Sequence, residues 1–192
     1  MKKGERSRGR LVEATGRLLR RQGYHATGLA EVVAESGAPR GSLYFYFPGG
    51  KEELACEAIA AAGASWRARL EEVIEAAADP GQAAEAVCRT LADELTGSAF
   101  QDGCPIATVA LEAAGVSEPV RRACAEQLAG WEALIAKKLV AAGLPEAAAA
   151  TAATFVLGAV EGATLLARVR RDPAPLLATG ALLRALHGTA TR

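Results

Sequence analysis

An all-α chain of about nine helices is what the sequence predicts, and three observations predict it. Alanine, leucine, glutamate and arginine dominate while β-branched residues are sparse, a composition of good helix formers. Apolar residues recur every three or four positions over long stretches, the period of a helix with one buried face. Glycine and proline punctuate the chain at intervals of one to three dozen residues, the lengths of ordinary helices. With 192 residues the chain is long enough to bury a sizeable core as one or two compact units.

The elements follow in order. From Glu5 to Gln22, Leu11, Ala14 and Leu18 with Val12, Thr15 and Leu19 keep the helical period and arginines fill the other faces, so helix one ends near Gly23. Thr27 and Gly28 offer a second start, with Glu31 in the place of a capping-box acid, Leu29, Val32 and Val33 as core face, and Gly37 as stop. Pro39 lacks an amide proton and suits only the first turn of a helix, which predicts a third helix of about eight residues from there to Pro48-Gly49-Gly50. Lys51 to Leu54 opens a long fourth helix, which Asp79-Pro80-Gly81 terminates. Further helices are expected at 82–97, 105–114, 118–142, 146–170 and 174–187. The longest apolar run, 147–160, has 14 residues before Glu161, short of a bilayer span, and reads as a buried helix.

Several function classes are excluded. Cys56, Cys88, Cys104 and Cys124 lie 16 to 32 positions apart with no CxxC pair and no partnering histidine, which argues for reduced thiols and against zinc or a disulfide framework. Met1 opens a basic segment that runs directly into helix-forming sequence, so no secretory leader and a cytoplasmic location are expected. No nucleophile-base-acid grouping and no phosphate-binding glycine loop is present, and His25 and His187 stand in poor contexts for catalysis. Neither enzyme activity nor a cofactor is therefore expected. The net charge of zero hides an asymmetry: residues 1–54 hold ten Lys or Arg against six Glu, a surplus of +4 balanced by −4 in the rest. One end of the chain suits a polyanion.

The stretch "SGAPRGSLYFYFP" sharpens that expectation. Tyr44, Phe45, Tyr46 and Phe47 follow one another in a chain with only seven Phe and Tyr residues. Two short helices joined at Gly37 make a helix-turn-helix candidate, in which a short helix presents side chains to base edges while its neighbours bind phosphates. Leu43 and Phe47, four apart, face inward; Arg40, Gly41, Ser42, Tyr44, Phe45 and Tyr46 remain for the outer surface. The same aromatics also suit an ordinary amphipathic core helix. The order of the surrounding residues, "EATGRLLRRQGYHATGLAEVVAESGAPRGSLYFYFPGGKEEL", resembles the DNA-binding domain of the TetR family of bacterial transcriptional repressors over Arg10 to Ile59. Gly23-Tyr24, Thr27, Leu43 to Phe47 and Lys51 to Leu54 carry the match.

The resemblance implies an N-terminal three-helix DNA-binding domain at 1–50 and a helical ligand-binding and dimerisation domain at 51–192. It implies phosphate contacts from Thr27 and Lys51, phosphate or base contacts from Tyr44 and Tyr46, and base reading by Ser42 and by Arg40, whose guanidinium suits guanine. Pro39 and Gly49-Gly50 depart from the family pattern, which removes a polar cap contact. Lys2, Lys3, Arg6 and Arg8 form a basic arm that either touches DNA or is a solvated tail.

Family membership further implies a homodimer on a palindromic operator. Thr154, Gly158 and Gly162 leave one helix face nearly bare, and Leu165, Leu166, Leu176, Leu177, Leu182 and Leu183 supply apolar area for the interface or for the chain's own packing. "GCPIATVALEAA", followed by the Trp131 helix, resembles a signature of the LmrA/YxaF-like branch, whose members answer to flavonoids or other flat aromatic compounds. The expected effector pocket comprises Trp66, Leu70, Leu91, Phe100, Cys104, Ile106, Val109, Trp131, Ile135 and Phe155, with Gln127 and Thr154 to orient a hydroxyl. These positions suit plain core equally well, and Cys104 is either an inert buried thiol or a redox-sensitive one. The alternative to a ligand-released repressor is a helical adaptor that binds protein through the Tyr44 to Phe47 surface without DNA.

Overall fold

The computed structural model describes residues 3–39, 41–113 and 115–190, with side chains from 4 to 187 apart from positions 40 and 114. All regular structure among them is helical: α1 (Lys3–Ala26), α2 (Leu29–Ser36), α3 (Ser42–Tyr46), α4 (Gly50–Ala76), α5 (Pro80–Gly97), α6 (Ala107–Ala113), α7 (Glu118–Ala141), α8 (Glu146–Arg170) and α9 (Ala174–Ala190). The chain divides into two compact units, Met1–Ser65 with Cys104–Gln127, and Trp66–Gly103 with Leu128–Arg192. Both α4 and α7 contribute residues to each unit.

In the first unit, α1 is interrupted at Gly23, whose φ of 80° lies in the left-handed region, and a last turn continues to Ala26. The capping box expected at α2 is absent: Gly28 caps without a side chain, and Glu31 instead accepts from the Gln22 amide at 2.8 Å. The third helix is shorter than predicted. Pro39 stands before it, its carbonyl accepting the Ser42 N–H at 2.8 Å. At the other end Phe47 leaves helical geometry, as a residue before proline must. No side chain caps the start of α3, whereas at the start of α4 the Glu53 carboxylate accepts the Gly49 N–H at 2.8 Å. Leu11, Leu18, Leu19, Val32, Leu43, Phe47, Leu54 and Ile59 are buried and form this unit's apolar interior.

In the second unit, Cys88, Ala92 and Leu95 of α5 pack with Val160, Ala163 and Ala167 of α8 and Leu176 and Leu183 of α9. Asp79-Pro80 does more than end α4: Asp79 is the N-cap of α5, accepting the Gln82 N–H at 2.8 Å, with Pro80 in the first turn. The helices α5 and α9 approach closely at Gly180, where a methyl group would lie 2.9 Å from Cys88 Cβ and 3.2 Å from Glu85 Cα.

The reading of α8 as a buried helix is corrected. It is 25 residues long, and its most apolar 18-residue window has a mean hydropathy of 1.5 with only 28% buried. Among the described residues it is the one helix long and apolar enough to cross a bilayer. A single Glu161 does not end the apolar character when the helix continues through Val169.

Candidate nucleic-acid interface

The interface is built on α2 and α3. Gly37 ends α2 in the left-handed region, φ 59°, and the Ser36 hydroxyl steadies the turn by accepting the Ala38 N–H at 3.1 Å while donating to the Val33 carbonyl at 3.0 Å. This directs the chain into α3 with Leu43 and Phe47 inward, 1% and 0% exposed. The opposite side of α3 faces water: Tyr44 is 66% and Phe45 78% exposed. Two large apolar rings left in solvent on a five-residue helix are an anomaly for an isolated chain. Tyr46 is half-buried, edge-on to Phe45 at 5.0 Å, with its hydroxyl against the first turn of α1, where a methyl at Gly4 would sit 2.9 Å from it. Gly41 is exposed and Ser42 half-buried at the start of α3. Arg40, together with Lys2 and the Lys3 side chain, lies outside the described residues.

Thr27 is placed differently from the sequence expectation. It is 2% exposed, and its hydroxyl donates to the Gly23 carbonyl at 2.7 Å, satisfying an acceptor freed by the break in α1. Lys51, at the start of α4, donates to the His25 carbonyl at 3.3 Å and lies 4.6 Å from the centre of the Tyr24 ring. Burial lowers its pKa from the ordinary lysine value, and the negative charge of Glu112 raises it in part.

The pairings of three residues in this region were not legible in the sequence, which offers Arg8 only as part of a basic arm. Arg8 is committed to its own chain: Nη1 and Nη2 of its guanidinium donate to the two oxygens of the Glu57 carboxylate, and the group lies 5.2 Å over the Phe47 ring. It thereby ties α1 to α4 and to the end of α3. Glu57 and Glu112 complete the set, the latter accepting the His25 N–H at 2.9 Å. These pairs are 49 and 87 residues apart, and no periodicity announces them. Arg17 is likewise paired, with Glu35 at 2.8 Å.

The expected effector residues are divided between the units. Cys104, Ile106 and Val109 are buried in the first, where Gln127 packs against Gly63. Cys104 Sγ accepts the Ala107 N–H at 3.4 Å, so it serves the start of α6. In the second, Trp131 is 1% exposed, Leu70 is buried, and Leu91 and Phe100 pack on the core, while Trp66 and Ile135 are half-buried. Thr154 and Phe155 are both exposed on α8, Phe155 by 63%. A cleft of about 500 Å³ opens elsewhere, among Val73, Ala76, Ala77, Gln82, Glu85, Ala86, Arg89, Thr90, Asp93 and Arg184. None of the expected pocket residues lines it.

Of the dimerisation set, Leu176 and Leu183 sit in the core of the second unit, so their area is covered within the chain. Thr154, Gly158, Gly162, Leu165, Leu166 and Leu182 are exposed. Among the described residues, beyond its chain neighbours and its own helix backbone nearby, nothing comes within 4 Å of a methyl group at Gly158 or Gly162.

Comparison with known proteins joins these features. Residues 11–58 match the family model described as bacterial regulatory proteins, tetR family. Residues 80–182 match the C-terminal domain of LmrA/YxaF-like transcriptional regulators. The chain belongs to the TetR family of transcriptional regulators, LmrA/YxaF-like branch. The regulator is 37% identical over 171 residues to YxaF of Bacillus subtilis, covering 89% of this chain and 90% of that one. It is equally similar to LmrA of the same organism, over 89% and 91% of the two chains. The crystal structure of a TetR-family regulator from Cytophaga hutchinsonii superposes with a TM-score of 0.82 at 22% identity, covering 97% of this chain and 95% of that one, which shows the shared fold. These relatives and families are regulators of transcription and DNA-binding proteins, so the chain is a regulator and not an enzyme.

Proposed function

We propose that this regulator is a homodimeric repressor, bound to a palindromic operator and released by a small apolar or aromatic molecule. The observation that carries the DNA contact is the pair Tyr44 and Phe45, left in solvent on a helix whose other face is fully buried. In a major groove these rings meet sugar and base methyl surface, and the Tyr44 hydroxyl reaches a phosphate or base edge. Gly41, Ser42 and Tyr46 belong to the same surface, with Lys51 at its border, and base reading by Arg40 rests on its place in the sequence. Residues 1–50 read the operator, and residues 51–192 hold the effector and the partner subunit.

The homodimer is supported by the exposed apolar stripe on α8, formed by Phe155, Leu165, Leu166 and Val169 around the open backbone of Gly158 and Gly162. Leu182 and Leu186 extend it on α9. A second copy seated on that face covers a surface that is too apolar to remain in water, and it supplies the second recognition helix for a half-site about 34 Å along the duplex. A soluble dimer of this kind also accounts for a cytoplasmic location.

The effector must bind the state that does not fit DNA more tightly than the state that does, since equal affinity shifts nothing. Helix α4 is the lever in this reading, because it carries Lys51 at one end and Trp66 fifteen residues on. The branch resemblance supports a flavonoid-like or other flat aromatic ligand.

The test begins with selection of duplexes from random DNA, followed by fluorescence anisotropy on the selected sequence across a salt series and then with an aromatic compound library. Repression predicts a two-fold symmetric sequence and affinity that falls steeply with salt. Binding that is indifferent to salt, or absent, favours the protein-interaction adaptor instead.

A further inference from the structure

We propose that Glu112 is a positioning residue for the DNA interface: its carboxylate, carried by α6, closes the break at the end of α1 and holds Lys51 where it meets a phosphate. This inference rests on the DNA-binding reading above. It starts from the break itself. At φ 80° Gly23 leaves the helix, so the amides that follow lose their regular partners. Glu112 fills the opening. Its Oε1 lies 2.2 Å from where a side-chain carbon at residue 23 would be, a space available only because that residue is glycine. Its Oε2 accepts the His25 N–H at 2.9 Å, a charge-assisted bond.

His25 is then gripped from both sides. Its N–H is held by the Glu112 carboxylate and its carbonyl by the Lys51 ammonium at 3.3 Å, which also lies over the Tyr24 ring. The chain Glu112, His25 backbone, Lys51 fixes the first turn of α4 against the last turn of α1. Burial disfavours the Lys51 charge and the neighbouring carboxylate favours it, so the same group that sets the position of Lys51 helps keep it cationic. The segment "GCPIATVALEAA" thus acquires a role that neither its apolar residues nor the effector pocket explains. It belongs to the stretch matched by the LmrA/YxaF-like C-terminal model, while Gly23, His25 and Lys51 belong to the stretch matched by the tetR model.

The experiment measures operator affinity of the full-length protein by anisotropy against KCl concentration for Glu112→Ala, Glu112→Gln, Glu112→Asp, Lys51→Ala and the Glu112→Ala/Lys51→Ala pair. Lys51→Ala removes one phosphate contact in each subunit, two per dimer, and lowers the slope of log affinity against log salt by about two. Glu112→Ala is expected to weaken binding about tenfold per subunit with the same loss of slope, the weight of one charge-assisted hydrogen bond in each subunit. Glu112→Gln keeps an oxygen for the His25 N–H and stays within about threefold of wild type. The double variant is no weaker than Lys51→Ala, because both changes act on one contact. Glu112→Asp retains the charge with a shorter reach and loses part of the slope, so the test stands even where the alanine variant fails to fold. A wild-type slope in Glu112→Ala or Glu112→Asp, or losses that multiply in the double variant, overturn the inference. Wild-type protein that binds no duplex sinks the DNA-binding reading itself.

Discussion

The closeness of α5 and α9 gives a prediction whose size follows from the coordinates. Replacing Gly180 by alanine places a Cβ at 2.9 Å from Cys88 Cβ and 3.2 Å from Glu85 Cα. Ordinary carbon contacts begin near 3.5 Å, so the two helices must part by roughly half an ångström. Neither neighbour swings aside, since one is a main-chain carbon and the other is bonded to one. Such overpacking costs about 2 kcal/mol, and replacing glycine inside a helix returns about 1 kcal/mol. The net loss of about 1 kcal/mol lowers the melting temperature by roughly 2–4 °C for a chain of this length. The control is Gly9→Ala in α1, where among the described residues nothing beyond its chain neighbours and its own helix backbone nearby lies within 4 Å of the new methyl. The same substitution there gains up to about 1 kcal/mol and raises the melting temperature by a similar amount. Thermal unfolding followed by circular dichroism reads both. If Gly180→Ala also melts higher than wild type, the helices are not packed backbone to backbone and the account of this core is wrong.

Further expectations concern the interface, the dimer and the thiols. Arg8→Ala and Glu57→Ala each cost about 0.5–1 kcal/mol of stability, and the double variant costs no more than the larger, because the pair is partly exposed; a double-mutant cycle by urea unfolding checks the coupling. Operator affinity of Arg8→Ala falls without a change of salt slope if Arg8 braces α4 rather than touching phosphate. Leu165→Glu with Leu182→Glu alters two exposed positions and leaves the secondary structure intact, yet light scattering shows a monomer and operator binding weakens at least tenfold, as loss of one half-site requires. Among the thiols, burial raises Cys88 and Cys124 to about 11, so both are neutral and slow towards iodoacetamide at pH 8. Half-buried Cys56 reacts first, and mass spectrometry of the labelled protein in native buffer and in denaturant shows the order.

How much of this was legible in the residues depends on the range of the interaction. Breaks at Gly23, Gly37 and Gly143 were readable because a left-handed φ is a local demand that glycine meets at least cost. The bounds of α8 were read correctly for the same kind of reason, between Pro145 and Asp172-Pro173. The inward pair Leu43 and Phe47 followed from helical spacing alone. The second role of Asp79-Pro80, as N-cap and first turn of α5, is present in the residues but masked there, because the same pair also stops a helix.

Other features had no local signature. An apolar helix such as α8 has the same composition whether its neighbours cover it or leave it for a partner; the three-dimensional packing alone shows that Phe155 and Leu165 lie outside while Leu176 and Leu183 lie inside. A charged side chain reads as a solvated face until a distant group arrives, as Glu57 does for Arg8 and Glu112 for His25. Spacing encodes which face of one helix is apolar, and so the elements and the inward and outward faces of α3 were already written in the order of the residues. Which faces meet is set by packing among segments far apart along the chain, and that determined the brace at Arg8, the closure at Gly23 and the apolar stripe left uncovered.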